Sequence, residues 1–317
     1  MDAVIHPIPS GTRDVLPDEM RELRAICDAM RGVFDREGYG EVATPSLEHE
    51  SVLARGGAGG ALPAYRVVDD HGAVLALRSD MTVPIARVVA TRYAAAEPPL
   101  RFCYFANAFR GVRPHRGQQR EFLQAGVELV GAPGPEGTAE ALRVLCAALD
   151  ATGLQHYRIG VGDASLYPGL LARAGVPEGA RPAILHELAT RDFVGLEREL
   201  RALQLSAEDR ERLLAVPQVR GGEEVLGEDA AGLRGVVALL PAAVRARVIF
   251  DLGLVRDLDY YTGAVFEVYD PGLGQPIGGG GRYDDLLGRF GRPLPAVGFA
   301  LTVDSLHVAL TGEERLA

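Results

Sequence analysis

Residues 121–130 read Glu-Phe-Leu-Gln-Ala-Gly-Val-Glu-Leu-Val, and no other stretch restricts the fold as strongly. Side chains alternate between the two faces of a strand. Leu123, Ala125, Val127 and Leu129 therefore share one face, while Gln124, Gly126 and Glu128 share the other. The apolar row must pack on a core. The row of amide, gap and carboxylate reads as a pocket floor; the plainer reading is an antiparallel strand with a wet outer face. Gly126 favours the pocket, because a glycine inside a strand marks a place where a ligand or another backbone comes close.

A second strand, Arg101 to Phe109, precedes a loop from Arg110 to Arg120 that holds Arg110, Arg113, His115, Arg116 and Arg120. Guanidinium forks grip phosphate or carboxylate bidentately, although most surface arginine clusters are merely solvated. A third informative stretch runs from Asp251 to Phe290. Its opening is apolar enough to be buried, yet carries Arg256, three aspartates and the pair Tyr260-Tyr261. A buried charge needs a partner or a ligand. Ala264 to Tyr269 alternates like a strand. Gly278 to Gly281, followed by Arg282-Tyr283-Asp284, reads as a glycine floor that lets backbone approach something small and then starts a helix. The alternative is a glycine-rich turn beside a satisfied ion pair.

The remaining elements follow from periodicity and punctuation. Pro9 to Asp14 is an irregular arm. Met20, Leu23, Ile26, Met30, Val33 and Phe34 form one face of a helix from about Asp18 to Glu37, with Pro17 at its start and Gly38 at its end. A short strand covers Glu41 to Pro45. Arg66 to Asp69 and Ala73 to Leu77 flank Asp70-His71-Gly72 as a hairpin, with His71 in the turn. Arg78 to Thr82 leads into a helix through Tyr93, Thr138 to Asp150 is a helix, and Tyr157 to Val161 is a strand. From about 165 to 247, short Leu/Ala/Arg/Glu helices broken by Pro168, Pro177, Pro182, Pro217 and Pro241 read as an inserted helical subdomain. Strand patterning resumes at Val248, and helices are expected over Asp284 to Phe290 and Val303 to Leu310.

Composition narrows the function classes. A net charge of −10 over 317 residues gives no general attraction to nucleic acid, so none is expected as a partner. Cys27, Cys103 and Cys146 are scattered, without the spacing of a metal site or a disulfide framework. The start lacks a signal-peptide pattern, and no apolar run is long enough to span a bilayer. A cytoplasmic location without membrane contact is expected. There is no phosphate-binding Walker loop, no nucleophile elbow and no HExxH zinc motif, so no cofactor is expected. The residues themselves describe a pocket for a zwitterion. Asp80, Gln124 and Glu128 suit a cationic group, Arg110 and Arg256 an anionic one, and Tyr260, Tyr261 and Tyr283 a ring. No obvious nucleophile or base emerges.

These blocks, in this order, resemble the catalytic core of histidyl-tRNA synthetase, a class II aminoacyl-tRNA synthetase. The matching pieces are Pro9 to Pro17, Gly38 to Pro45, Leu77 to Thr82, Phe109 to Glu128, Leu254 to Tyr261, Gly279 to Asp284 and Ala296 to Leu306. The run Leu-Val-Arg-Asp-Leu-Asp-Tyr-Tyr is similar to the signature of the histidine branch. The resemblance implies an α+β fold: an antiparallel sheet flanked by helices, with the 165–247 segment as a helical insertion. It also implies a histidine pocket. By position, Asp80, Thr82, Gln124 and Glu128 would meet the α-amino end, Arg110 the carboxylate side, and Arg256, Tyr261 and Tyr283 the side-chain end.

Three departures bear on function. Val112 stands where the synthetase pattern has an acid that holds ATP. Ser305 stands where it has an arginine that clamps the triphosphate. The chain stops where an anticodon-binding domain would begin. Losing a group aimed at developing charge costs orders of magnitude in rate, so aminoacylation is expected to be lost. The pattern, including Asp80-Met81, resembles the synthetase paralogues that serve as regulatory subunits of ATP phosphoribosyltransferase. That resemblance implies a non-catalytic role in the first step of histidine biosynthesis. It implies complex formation with the short catalytic subunit, a homodimer within a hetero-oligomer, and a contribution to feedback inhibition by histidine. The alternatives are a truncated enzyme that activates histidine or modifies another target, and a free-standing histidine sensor. The inhibitory histidine is expected in the pocket, the interface with the catalytic subunit being the other place for it.

Overall fold

In the computed structural model the described residues are 8–57, 64–111, 119–255 and 260–316. In chain order the strands are β1 (Gly40–Glu41), β2 (Leu47–His49), β3 (Arg66–Val68), β4 (Val74–Leu77), β5 (Leu100–Phe109), β6 (Glu121–Val130), β7 (Arg158–Asp163), β8 (Arg220–Gly221), β9 (Val248–Asp251), β10 (Ala264–Tyr269), β11 (Gly278–Arg282) and β12 (Ala296–Thr302). Nine form one sheet in the order β1-β5-β6-β12-β11-β10-β7-β9-β8, and β2-β4-β3 form a small second sheet. The large sheet is antiparallel through its centre, as expected. Toward its edges β1 pairs parallel with β5, and β7 parallel with β9. Both pairs are joined by the long connections that parallel pairing needs.

Alternation divides this sheet into two chemically different faces. The back face carries Ala125, Val127 and Leu129 of β6, Val297, Phe299 and Leu301 of β12, and Phe266 and Val268 of β10 into one core. The helix Pro17–Arg36 covers it with Leu23, Ile26, Met30, Val33 and Phe34. The helix Glu136–Thr152 adds Leu142, Leu145 and Leu149, and stops at Gly153, whose φ of 93° suits glycine. The front face keeps glycines and polar residues and receives the helix Thr82–Thr91.

Within 165–247, residues from Leu166 to Leu213 build a core of their own with Tyr167, Leu171, Ile184, Leu196 and Leu200. Leu233, Val236, Val237 and Val244 instead join the core behind the large sheet. The Ser206 hydroxyl accepts from Asp209 N at 3.0 Å, capping the helix Ala207–Ala215.

Two local expectations change. Gly278–Arg282 is neither a turn nor a floor leading into a helix; it is strand β11, paired on both sides. A Cβ at Gly278 or Gly280 would strike backbone of β12, so these glycines let neighbouring strands close up. The segment after Tyr283 forms only a 3-10 turn over Leu287–Phe290. The strand expected over Glu41 to Pro45 shrinks to Gly40–Glu41, with Val42 N adding one bond to Cys103 O at 2.9 Å.

Candidate functional site

The front face of β6 presents Gln124, Gly126 and Glu128 as its alternation requires. All three are buried. Across the sheet Gly126 faces Tyr104 of β5 and Ala300 of β12, and Glu128 faces Phe102 and Gly298. A Cβ at Gly126 would lie 2.6 Å from the Tyr104 hydroxyl, and one at Gly298 would collide with the Glu128 carboxylate. The glycines thus hold open the space that an acid and a phenol occupy.

Glu128 is 1% exposed. Thr82 Oγ1 donates to its Oε1 at 2.7 Å, and the Tyr283 hydroxyl donates to its Oε2. Thr82 is the first residue of its helix, so the positive end of the helix dipole lies near the acid. Burial outweighs these contacts and pushes the Glu128 carboxyl up to about 8, with nearby Asp80 adding to the rise. Glu128 therefore links two elements: one oxygen meets the helix terminus, the other Tyr283.

Asp80 is half-buried and accepts from Val83 N at 3.1 Å and from the Ser79 hydroxyl at 3.2 Å. It therefore caps the helix Thr82–Thr91 and lies close enough to Glu128 to act on its charge. Burial raises its carboxyl, against the pull of those donors and of Arg110. Tyr260 and Tyr283 meet edge to face with centroids 5.6 Å apart, and Tyr261 sits 4.8 Å from Tyr260. The Tyr261 ring lies against Gly281, where a Cβ would be 2.8 Å from two ring carbons. Burial raises Tyr104, Tyr260 and Tyr283, which keeps all three phenols neutral.

Gln124 Oε1 is buried, and among the described residues no donor reaches it. A buried acceptor without a donor costs about 1–3 kcal/mol, which a ligand N–H would offset. Arg110 places its guanidinium 4.6 Å from the Phe122 ring centroid, and its backbone N bonds Arg120 O at 2.8 Å. Arg256 lies outside the described residues, as do Val112, Arg113, His115 and Arg116. Ser305 is half-buried in the first turn of the helix Val303–Leu316.

The structure thus brings together Asp80, Thr82, Gln124, Glu128, Tyr260, Tyr261 and Tyr283 from distant parts of the chain. Tyr104 belongs with them and was not singled out in the sequence. Alternation within 101–109 puts it on a face with Phe102, but its position over Gly126 depends on a register that only strand pairing reveals.

A family model described as histidyl-tRNA synthetase matches residues 11–306. The fold and this match define a class II synthetase-like core of the histidine branch. An ATP phosphoribosyltransferase regulatory subunit from Symbiobacterium thermophilum is 43% identical, covering 98% of this chain and 81% of that protein. One from Moorella thermoacetica is 42% identical over 95% of this chain and 81% of its own length. The chain belongs to the ATP phosphoribosyltransferase regulatory subunits, a non-catalytic family with the histidyl-tRNA synthetase fold. A solved structure described as an ATP phosphoribosyltransferase regulatory subunit/histidyl-tRNA synthetase, from Bacillus halodurans, superposes with a TM-score of 0.88 at 33% identity, covering 95% of this chain and 82% of that one.

Proposed function

We propose that this chain is required for activity of the short-form ATP phosphoribosyltransferase catalytic subunit, and that histidine binds the front-face pocket as a feedback signal. Homodimers of the chain would sit within the hetero-oligomer, and nucleic acid plays no part. The observation that carries the histidine reading is the Glu128 cluster. A carboxylate held by Thr82 and Tyr283 at 1% exposure is costly to ionise and gains most from a cationic or N–H donating ligand. Gln124 Oε1 supplies a second acceptor, and Tyr260, Tyr261 and Tyr283 supply flat walls for a ring. An ammonium and an imidazole on one small molecule match this set. Ser305 supports the non-catalytic reading, because a hydroxyl cannot neutralise a triphosphate.

Histidine can inhibit only by binding the inactive assembly more tightly than the active one. The pocket acquires that leverage if helix Thr82–Thr91 or the tyrosine cluster shifts between the two. A cytoplasmic site of action fits three buried free thiols, Cys27, Cys103 and Cys146. Among the described residues no helix is long and apolar enough to cross a membrane. The test is histidine titration of the complex with wild-type chain and with Glu128→Gln. Weakened inhibition in the variant is expected. Unchanged inhibition would exclude this pocket and move the histidine site to the subunit interface.

A further inference from the structure

The front face of the large sheet does not end at the tyrosines. Counting strands from β6 to β9 at about 4.8 Å each puts Asp251 roughly 24 Å from Glu128 along the sheet. There strands β7 to β10, with Arg191 from the segment 166–216, line an open cavity of about 510 Å³. That is room for a metabolite-sized molecule. Three arginines reach it from separate elements: Arg158 from β7, Arg220 from β8, and Arg191 from the turn between the helices Arg181–Ala189 and Phe193–Arg201.

Asp251 organises two of them. Its Oδ2 accepts from Arg220 Nε at 2.8 Å and from Arg191 Nη2 at 3.4 Å, and its Oδ1 accepts from Gly253 N at 3.0 Å. With Nε engaged, both terminal nitrogens of Arg220 have no acceptor among the described residues, and its side chain is 49% exposed. That is the end of the guanidinium that takes a carboxylate or phosphate two-handed. Arg158 spends one nitrogen on the Tyr157 carbonyl at 3.1 Å and has no carboxylate partner among the described residues. Among the described lining residues three guanidiniums meet two carboxylates, Asp251 and Glu267, and the Tyr269 hydroxyl donates to Glu267 at 2.5 Å. Arg191 is the one described non-glycine residue with positive φ, at 56°. That conformation ends the helix Arg181–Ala189, with Arg191 N bonded to Leu188 O at 3.0 Å and Asp192 N to Glu187 O at 2.9 Å.

The apolar part is equally defined. Gly160 lets the Tyr269 ring cross the floor, since a Cβ there would lie 3.1 Å from Tyr269 Cε2. Ile249 stands beside Gly160 in register. The cavity thus offers an anion fork at one side and an aromatic and aliphatic floor at the other.

We propose that this cavity is a second ligand site, separate from the Glu128 pocket, that takes a small organic oxyanion through Arg220 and Arg158 with its carbon skeleton on Tyr269. Because Arg158 lies on β7, Arg220 on β8 and Tyr269 on β10, an occupant bridges three strands and stabilises the fold.

The test titrates the full chain with inorganic phosphate, pyrophosphate and malonate, at ionic strength held constant with sodium chloride, by calorimetry and thermal shift. Saturable binding with a raised Tm is expected for at least one of them. Phosphates alone saturating would assign a phosphoryl ligand; malonate alone would assign a carboxylate. Arg220→Lys keeps the charge and loses the fork, so a loss of tenfold or more in affinity is expected. Arg158→Ala is expected to weaken the same titration, and Glu128→Gln to leave it unchanged. If Arg158→Ala fails to fold, Arg220→Lys still decides. No saturation above the chloride control, or Arg220→Lys titrating as wild type, overturns the proposal.

Discussion

Replacing Glu128 by Gln keeps the shape of the buried acid and removes its titration. The folded carboxyl sits near 8 against an ordinary value of 4.5, chiefly through burial. A raised acid binds its proton more tightly when folded. Its stabilising contribution is complete below about pH 4.5 and is lost as pH rises through 8. Each unit of pH inside that window costs about 1.4 kcal/mol. Between pH 6 and 8 the wild type should lose about 2 kcal/mol from this residue alone. For a chain of this size that is roughly 4 °C in Tm. Glu128→Gln should not show that loss, since Gln can still accept from Thr82 and donate to Tyr283. The assay is thermal unfolding of ligand-free protein at pH 6, 7 and 8, reading the variant minus the wild type so that other titrating groups cancel. A difference that grows by roughly 4 °C in favour of the variant is expected. Parallel melting curves would mean that Glu128 ionises without strain, and the argument for a waiting acceptor would fail.

Histidine binding at pH 7 should release more proton in the wild type than in Glu128→Gln, because a cation favours the ionised acid; calorimetry in two buffers of different ionisation enthalpy measures it. Tyr283→Phe removes one of the two hydroxyls on Glu128 and should cost about 1 kcal/mol of stability, together with weaker histidine binding, read by urea unfolding and calorimetry. Gly298→Ala drives a methyl into the Glu128 carboxylate and the Val127 carbonyl; a loss of about 1–3 kcal/mol and of histidine binding is expected. At Asp80, Asn should preserve the helix cap, whereas Ala should cost about 1 kcal/mol; equal melting temperatures for the two would remove the capping role.

Much of this arrangement was legible in the residues. The alternation of 121–130 identified both the strand, with its ends at Glu121 and Val130, and the shared front face of Gln124, Gly126 and Glu128. The hairpin around Asp70-His71-Gly72 followed from turn chemistry. The glycine run was misread because local preference cannot distinguish a turn from a strand whose neighbours come too close for side chains. That distinction lies in β10 and β12, on either side of β11. The parallel pairing of β7 with β9 was hidden for a related reason: a connection of more than eighty residues separates them, and no local signal crosses it. The role of Glu128 was half legible. Its place on the floor followed from the period of two, but its bond to Tyr283, 155 positions away, needed the fold.

A regulatory subunit acts through another chain. The direct measurement is phosphoribosyl transfer to ATP by the short catalytic subunit, alone and mixed with this protein, with histidine added to each. The expected result is little activity from the catalytic subunit alone, a clear rise on mixing, and inhibition of the mixture by histidine. Equal activity with and without this chain would contradict it.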